Sequence, residues 1–281
     1  MANNSEKKLP LFRILTLVLS CGVFLFAASR LYAYYRENHQ GDEAQSRLAD
    51  QAVTVVTPAA PPETAPLAPE ETRAAEETRY PDISYEIPIR VDFDVLQAEN
   101  PDIIAWLYCA DTPINYPVVQ GENNDYYLHR LPDGTQNVNG SLFMDFRNLR
   151  DFSDRNSVIY GHNMTSDAMF GSLEKYKKQS YFDEHPRMWL LTPERAYRMD
   201  LVAGVVTPSD SDAYTLFDSD EELLSHLEAV VEDSTFVSGV DLSTVERIVT
   251  LSTCSYEYAT ARYVVIGSLL PAEYPPGETA F

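Results

Sequence analysis

The chain has 281 residues, 44% of them hydrophobic, and a formal net charge of -22. This length allows one sizeable domain or two small ones. The acidity argues against nucleic-acid binding, because a protein that neutralises phosphates needs a basic face, and it indicates nothing specific about a substrate.

Residues 14–35 are the first predicted element, a membrane-spanning helix. The segment carries no charge except Arg30, which can snorkel toward the interface, and it approaches the roughly 20 apolar residues that a membrane helix requires. Lys7 and Lys8 lie on its N-terminal side, so the positive-inside rule places residues 1–13 in the cytoplasm. A cleaved signal peptide is the alternative. In both cases the rest of the chain is exported.

Residues 36–80 are predicted to form an extracytoplasmic stalk. Most of the segment, from about residue 41, is rich in Pro, Ala, Thr and Glu. Such a composition buries too little apolar surface to fold, and proline together with like charge keeps a chain extended. We expect the stalk to hold a catalytic domain, residues 81–281, away from the bilayer.

Short β-rich runs, punctuated by Gly, Asn, Asp and Pro, follow from Tyr80 onward. A short helix is predicted at Asp94–Glu99 and an amphipathic one at Ser219–Glu232, where Ser219 and Glu222 can form a capping box. About eight strands with few helices favour a mainly β fold, a closed β-barrel with helical insertions. The predicted strands are Ile103–Cys109, Ile114–Val119, Ser141–Met144, Val158–Tyr160, Met188–Thr192, Tyr197–Thr207, Arg247–Thr253 and Tyr263–Leu269.

The three cysteines, Cys21, Cys109 and Cys254, do not indicate a disulfide scaffold. Cys21 belongs to the predicted membrane segment. Cys109 ends a run that is typical of a buried strand, so we expect a small core thiol there. No Cys-x-x-Cys or His-x-x-x-His spacing is present, which disfavours zinc.

Cys254 and Arg262 are predicted to face each other across a hairpin. Seven residues connect them, and each belongs to a β-rich run. Side-chain alternation puts Cys254 on the face of its strand opposite to Leu251 and Thr253. A guanidinium beside the cysteine would favour the thiolate and offer donors to an oxyanion. From this pair alone, a core cysteine beside a surface arginine is an equally good interpretation.

His162 supplies a third candidate group, far upstream in the sequence. It follows a β-rich run that ends at Tyr160, a loop position where catalytic residues are often displayed. An isolated histidine in such a place is more often structural. A cysteine, a histidine and an arginine together would suit thiol acyl chemistry, in which the imidazole moves protons.

Several motifs in matching order make the chain resemble the sortase family, specifically class B, over about residues 92–270. The helix at Ser219–Glu232 and the N-terminal anchor fit that class as well. The motifs are Tyr160-Gly161-His162-Asn163-Met164, Met169-Phe170-Gly171-x-Leu173-x-x-Tyr176, Thr250–Cys254 with Arg262 downstream, Trp106, Ile114–Gln120, Tyr126–Leu128 and Gly140–Asp145.

The resemblance implies an eight-stranded sortase barrel and a membrane-anchored cysteine transpeptidase with its catalytic domain outside the cell. Cys254 would attack a threonine carbonyl in an Asn-Pro-x-Thr-x-like C-terminal sorting signal of a surface protein. His162 would protonate the leaving amine and deprotonate the incoming one, and Arg262 would hold the substrate or the oxyanion. The implied acceptor is an amine of peptidoglycan or lipid II. No cofactor or metal is implied.

Further site residues follow less directly from the resemblance. The residues expected to line the substrate pocket are Leu251, Ser252, Thr253 and Tyr258. A carboxylate that orients His162 is not identified by any motif, and Asp145 and Asp167 are candidates only because they lie near motifs.

Other thiol enzymes fit the pattern less well. An L,D-transpeptidase carries its histidine close to its cysteine, papain-like peptidases place the cysteine first, and a tyrosine-phosphatase loop needs a shorter, glycine-containing spacing to its arginine. A non-catalytic β-barrel binding module would be expected to lack one of the three groups. A class B sortase that polymerises pilins, or a different exported thiol peptidase, stays open as an alternative.

Overall fold

The computed structural model describes residues 11–56 and 87–272. In chain order the elements are α1 (Leu11–Ala52), β1 (Val53–Val55), β2 (Ile89–Val91), α2 (Phe93–Glu99), β3 (Ile103–Tyr108), β4 (Asn115–Val119), β5 (Leu142–Met144), β6 (Asn156–Tyr160), α3 (Gln179–Glu184), β7 (Arg187–Leu191), β8 (Ala196–Pro208), α4 (Asp220–Glu232), β9 (Ile248–Cys254) and β10 (Ala261–Ala272). Short 3₁₀ helices lie at Tyr127–His129, Gly171–Lys177, Asp212–Tyr214 and Leu242–Thr244.

Strands β3 to β10 close into one mixed barrel in the order β10-β8-β7-β3-β4-β5-β6-β9. The pairs β4–β5 and β6–β9 are parallel, and the other neighbours are antiparallel. The closed eight-stranded barrel expected from the sequence is confirmed, and every predicted run overlaps one of its strands.

The barrel interior is apolar because alternate strand residues point into it. Leu251 of β9 and Tyr263 of β10 are fully buried there, and burying one such side chain contributes about 1.5–3 kcal/mol. Cys109 lies in the same cluster as a free thiol, 3.7 Å from the Tyr176 hydroxyl. Burial raises the pKa of this thiol, and the prediction of a small core thiol is confirmed.

The two ends of the barrel are distinguished by strand direction. Because β6 and β9 are parallel, Tyr160 and Cys254 leave the barrel at the same end. Strand β10 begins there, and so does β5, since Phe143 pairs with Tyr160. We call this the Cys254 end, and we call the opposite end, where β9 starts, the Ile248 end.

Helix α4 packs on the outside of the barrel and agrees with the predicted helix. Ser219 is its N-cap, and its hydroxyl accepts a hydrogen bond from the backbone N–H of Glu222. The Glu222 carboxylate accepts from the N–H of Asp218 rather than from Ser219, so the capping box is displaced by one residue. Leu223 and Leu227 are the buried side chains of this helix.

Helix α1 does not end with the predicted membrane segment, which differs from the stalk expected to begin at residue 36. It continues to Ala52, and β1 then pairs with β2. The helix persists because no proline lies between Pro10 and Pro58 and because it buries a stripe of residues against the barrel. That stripe is Gly41, Gln45, Leu48 and Ala52. Residues 57–80 of the predicted stalk lie outside the described residues, and the other domain limits stay predictions.

Candidate active site

Cys254 and Arg262 are direct cross-strand partners in the β9–β10 hairpin. Both side chains are partly exposed. Nη1 of Arg262 donates to the carbonyl of Ala261 across 3.0 Å, which orients the guanidinium at the start of β10. The predicted hairpin, with the cysteine and the arginine at paired positions, is therefore confirmed.

His162 reaches the same end of the barrel on the neighbouring strand. Tyr160 is the register partner of Ser252; Cys254 lies two residues further along β9, and His162 lies two residues beyond the end of β6. Two hydrogen bonds join the segment after β6 to the end of β9. The Gly161 N–H donates to the carbonyl of Ser252 (3.1 Å), and the Asn163 amide donates to the carbonyl of Cys254 (2.7 Å). The structure thus places the residues that carry the thiol, imidazole and guanidinium at neighbouring ends of β9, β6 and β10.

A backbone carbonyl, not a carboxylate, orients the imidazole of His162. Its Nε2 lies 2.7 Å from the carbonyl oxygen of Leu128, and its ring stacks on His129 with centroids 5.9 Å apart. Burial lowers the pKa of His162, the bond to Leu128 opposes this, and a positive charge on His129 lowers the pKa further. Asp145 instead binds Arg147, and Asp167 pairs with Lys175, so neither carboxylate that was considered holds the imidazole.

An open groove of about 570 Å³ lies on the outside of the barrel, at the end of β6. Tyr160 and Tyr214 form its wall with stacked rings 6.0 Å apart. The Tyr214 hydroxyl lies 2.9 Å from the Ser252 hydroxyl, which shares the face of β9 with Cys254. The Tyr160 hydroxyl donates to Asp145 across 3.0 Å at the other end of the groove. The Tyr214–Ser252 contact therefore links the groove to the face of β9 that carries Cys254, although Cys254, His162 and Arg262 do not line the groove themselves.

Residues 107–270 match the sortase domain family. Sortase B of Listeria monocytogenes is 36% identical over 185 residues, which are 65% of this chain and 75% of that protein. Sortase B of Staphylococcus aureus is 32% identical over 185 residues, 65% of this chain and 76% of that one. The chain belongs to the sortase family, class B.

Solved sortases share the fold of this sortase. The crystal structure of sortase B from Bacillus anthracis in complex with AAEK1 superposes with a TM-score of 0.64 at 29% identity, covering 84% of this chain and 99% of that one. The 2.0 Å structure of Staphylococcus aureus sortase B has a TM-score of 0.60 at 28% identity, with coverage of 72% and 95%.

The four residues expected to line the pocket of this sortase lie in different surroundings. Leu251 is fully buried in the barrel core, and the Thr253 hydroxyl donates to the carbonyl of Gly161. Neither side chain reaches the groove, because alternation turns both away from the face that carries Cys254. Ser252 reaches Tyr214 at the groove wall, and Tyr258 is 44% exposed on the loop after Cys254.

A charged cluster fixes the start of that loop. Lys177 binds the carboxylates of Glu174 and Glu257 and lies 3.0 Å from the hydroxyl of Ser255, the residue after the cysteine. The Ser255 hydroxyl also lies 2.8 Å from a carboxylate oxygen of Glu174. The loop that leaves Cys254 is thereby tied to the 3₁₀ helix Gly171–Lys177.

Sequence reasoning missed three contributors to the site. Tyr214 lies in a Ser- and Asp-rich connection that carries no motif. The carbonyl of Leu128 is a backbone group and leaves no mark in the sequence. Asn163 could have been found, since it follows His162 directly in the motif that indicated the family.

Proposed function

We propose that this sortase cleaves an Asn-Pro-x-Thr-x-like C-terminal sorting signal and transfers the threonyl acyl group to an amine of peptidoglycan or its lipid-linked precursor. The observation that carries this proposal is the register of Cys254 with Arg262 beside His162 at one barrel end. A nucleophilic thiol, a proton carrier and a fixed cation are the parts that acyl transfer through a thioester requires.

In the first half-reaction, Sγ of Cys254 attacks the threonine carbonyl carbon as a thiolate. The guanidinium of Arg262 stabilises the negative charge that develops on the carbonyl oxygen. When the intermediate collapses, the C–N bond breaks, and the imidazolium of His162 gives its proton to the departing amine. The products are a Cys254 thioester and the released C-terminal part of the signal.

In the second half-reaction, the acceptor amine attacks the thioester carbonyl. Neutral His162 removes a proton from the amine, the C–S bond breaks, and a new amide is formed as the thiolate returns. Because the carbonyl of Leu128 only accepts hydrogen bonds, Nε2 carries the proton in the neutral ring, and Nδ1 is the atom that gains and loses the transferred proton.

Solved relatives support the two substrate classes. Staphylococcus aureus sortase B has been solved as a substrate complex, and a sortase B has been solved with triglycine, a short peptide that carries an amine. Both are 28% identical to this chain. The groove walled by Tyr160 and Tyr214 is the place where the signal peptide would lie.

The apolar half of α1 supports a location at the cell membrane. Among the described residues, α1 is the one helix that is long and apolar enough to cross a membrane, and its side chains from Arg13 to Arg36 are exposed. An exposed apolar surface of this length matches the hydrocarbon core of a bilayer. In the proposed topology residues 14–35 span the cell membrane once, the N-terminus is cytoplasmic and the barrel is outside.

The test is intact-mass spectrometry of the full chain in detergent, mixed with an Asn-Pro-x-Thr-Gly-type peptide. The expected result is an added mass equal to the peptide up to its threonine, and its absence in Cys254→Ala. The full chain is preferred to a fragment from residue 81, because residues 37–52 pack against the barrel. No adduct and no cleavage across a panel of such peptides would contradict the proposal.

A further inference from the structure

Helix α1 lies along the outside of the barrel, and its contacts show which of its turns lie beside which end of the barrel. Near the Cys254 end, Glu37 and Asn38 accept hydrogen bonds from the side chains of Asn137 and Asn139, at 2.9 and 3.0 Å. These asparagines immediately precede β5, which begins at that end. Gly41 lies against the same two side chains. The first docked turns of α1 therefore lie beside the Cys254 end.

The last turns of α1 lie toward the Ile248 end. Arg47 pairs with Glu99 of α2 at 3.8 Å, and Leu48 and Ala52 belong to the same apolar cluster as α2. The chain between α2 and β3 lies at the Ile248 end, since the carbonyl of Pro101 accepts from a side chain in the β5–β6 connection. With a rise of about 1.5 Å per residue, Glu37 and Ala52 are roughly 22 Å apart along the helix.

We propose that the Cys254 end of the barrel faces the bilayer, so that the catalytic groups lie at the level of the lipid headgroups. The inference rests on the proposed membrane anchor at residues 14–35. Tyr35 precedes the first docked residue, Glu37, by two positions, a rise of only about 3 Å along the helix. Since α1 descends from the Cys254 end to the Ile248 end, the membrane segment must project beyond the Cys254 end.

The charge at this end suits a nearby membrane surface. The sequence contains five lysines; Lys7 and Lys8 precede the anchor, and the other three, Lys175, Lys177 and Lys178, lie at the Cys254 end. Two of the segments at this end, 161–187 and 254–262, carry as many Lys and Arg as Asp and Glu, whereas the whole chain has a net charge of -22. The β3–β4 and β8–α4 connections add Asp111, Asp210 and Asp212 at the same end. The lysine-bearing part of this end therefore has no net negative charge, and it avoids the repulsion that anionic lipids exert on an acidic surface.

Exposed tyrosines at the same end are a second independent indication. Tyr256 is 78% exposed and Tyr258 is 44% exposed, both on the β9–β10 loop. Tyrosine is enriched at membrane–water interfaces, because its ring is apolar and its hydroxyl is polar. The partner of this surface is the headgroup layer of the bilayer. Substrates delivered along that layer, a membrane-held signal peptide and a lipid-carried amine, would reach the groove without leaving the membrane surface.

The test compares two tryptophan positions in the full chain, reconstituted in phosphatidylcholine vesicles that contain headgroup spin-labelled lipid. Tyr256→Trp reports on the Cys254 end, and Leu149→Trp, also at an exposed site, reports on the Ile248 end. The two native tryptophans are buried and common to both variants. We expect the Tyr256→Trp indole to lose most of its fluorescence to the quencher and the Leu149→Trp indole to lose little.

Two glycines of α1 supply a matched control. A Cβ at Gly41 would meet the Asn139 amide at 2.5 Å, whereas a Cβ at Gly22 meets nothing within 4 Å. Gly41→Leu should undock the helix and abolish the difference in quenching between the two ends, and Gly22→Leu should preserve it.

The outcomes separate this inference from the proposed function. If the chain floats with the vesicles but the two positions are quenched equally, or Leu149→Trp is quenched more strongly, the proposed orientation is overturned. A chain that does not float with the vesicles would overturn both the anchor and the orientation. Peptide cleavage by the same preparation tests the transpeptidase chemistry independently.

Discussion

The carbonyl oxygen of Leu128 holds the imidazole of His162 by a single hydrogen bond of 2.7 Å to Nε2. Leu128 lies in the connection between β4 and β5, and Asn137 and Asn139 of that connection bind α1. The tautomer of the proposed proton carrier therefore depends on a loop that α1 supports from outside the barrel.

The first prediction concerns the titration of His162. Burial and the neighbouring His129 lower its pKa from the ordinary value of 6.5. The folded protein favours the neutral ring, so protonation of His162 opposes folding. The free energy of unfolding should therefore fall as the pH drops below about 6.5. NMR titration of the imidazole checks the pKa directly. His129→Gln removes the neighbouring charge and should raise the pKa of His162; a value above 6.5 in the unmodified chain would contradict this account.

The second prediction concerns the cation at the proposed site. Arg262→Lys should lower kcat/KM for a signal peptide by roughly 100-fold, because a point charge does not reproduce the guanidinium fork at an oxyanion. Arg155→Lys is the matched control, since Arg155 pairs with Asp220 at the Ile248 end, and its activity should stay near that of the unmodified chain. Equal activity of the two variants in a peptide-cleavage assay would remove Arg262 from the mechanism.

A third prediction follows from the hydroxyl pair on the groove wall. Tyr214→Phe and Ser252→Ala should each raise KM, and the double variant should be little worse than either single one, because both lose the same contact. Tyr214→Phe leaves the buried Ser252 hydroxyl without its partner and should cost about 1 kcal/mol of unfolding free energy. A double-mutant cycle in denaturant and in peptide kinetics measures the coupling, and strictly additive effects would show that the two hydroxyls act separately.

The docked part of α1 leads to a fourth prediction. Leu48 is 2% exposed and belongs to the cluster beneath α2, so Leu48→Ala should destabilise the domain by about 2–3 kcal/mol. If residues 36–52 formed an extended stalk, the same change would leave the free energy of unfolding unaltered. Leu149→Ala, at a position that is 57% exposed, is the control and should have little effect. Chemical denaturation of both variants distinguishes the two descriptions of residues 36–52.

The fifth prediction concerns acid sensitivity of the loop after Cys254. Hydrogen bonds from Lys177 and Ser255 lower the pKa of Glu257 from 4.5 to about 2. The stabilisation is fully present above pH 4.5 and should be lost as the pH falls toward 2, because a carboxylate with a depressed pKa binds protons more readily when unfolded. The protection of the amides of residues 255–261, measured relative to their intrinsic exchange rates, should fall over that range. Lys177→Gln should produce the same loss of protection at neutral pH, and unchanged protection in that variant would show that the cluster does not hold the loop.

The sequence allowed the barrel and the central geometry of the site to be predicted, for a physical reason. Period-2 alternation and turn residues are local signals, and they located all eight barrel strands. The spacing of Cys254 and Arg262 around a short loop indicated a hairpin, because antiparallel neighbours in sequence pair across a turn. His162 followed from its place after a strand and from the motif around it.

The remaining features depend on long-range contacts that no local pattern encodes. The Leu128 carbonyl and the Tyr214 hydroxyl act at the site because the fold brings them there from separate connections. The predicted helix ended too early, at Tyr35, because the polar stretch after Tyr35 is similar in composition to the Pro-rich segment that follows it. Only the contact with the barrel distinguishes the two, through the buried residues Gly41, Gln45, Leu48 and Ala52.

The pairing of β1 with β2 has a consequence for how this protein can vary. The N–H of Val56 donates to the carbonyl of Pro88 across 2.8 Å, so the Pro- and Glu-rich segment leaves and rejoins the domain at adjacent points. Residues can therefore be gained or lost within that segment without changing the distance between the barrel and the apolar half of α1. That distance is set by the helix alone, and a single residue inserted between Tyr35 and Glu37 would rotate the barrel by about 100° around the helix axis.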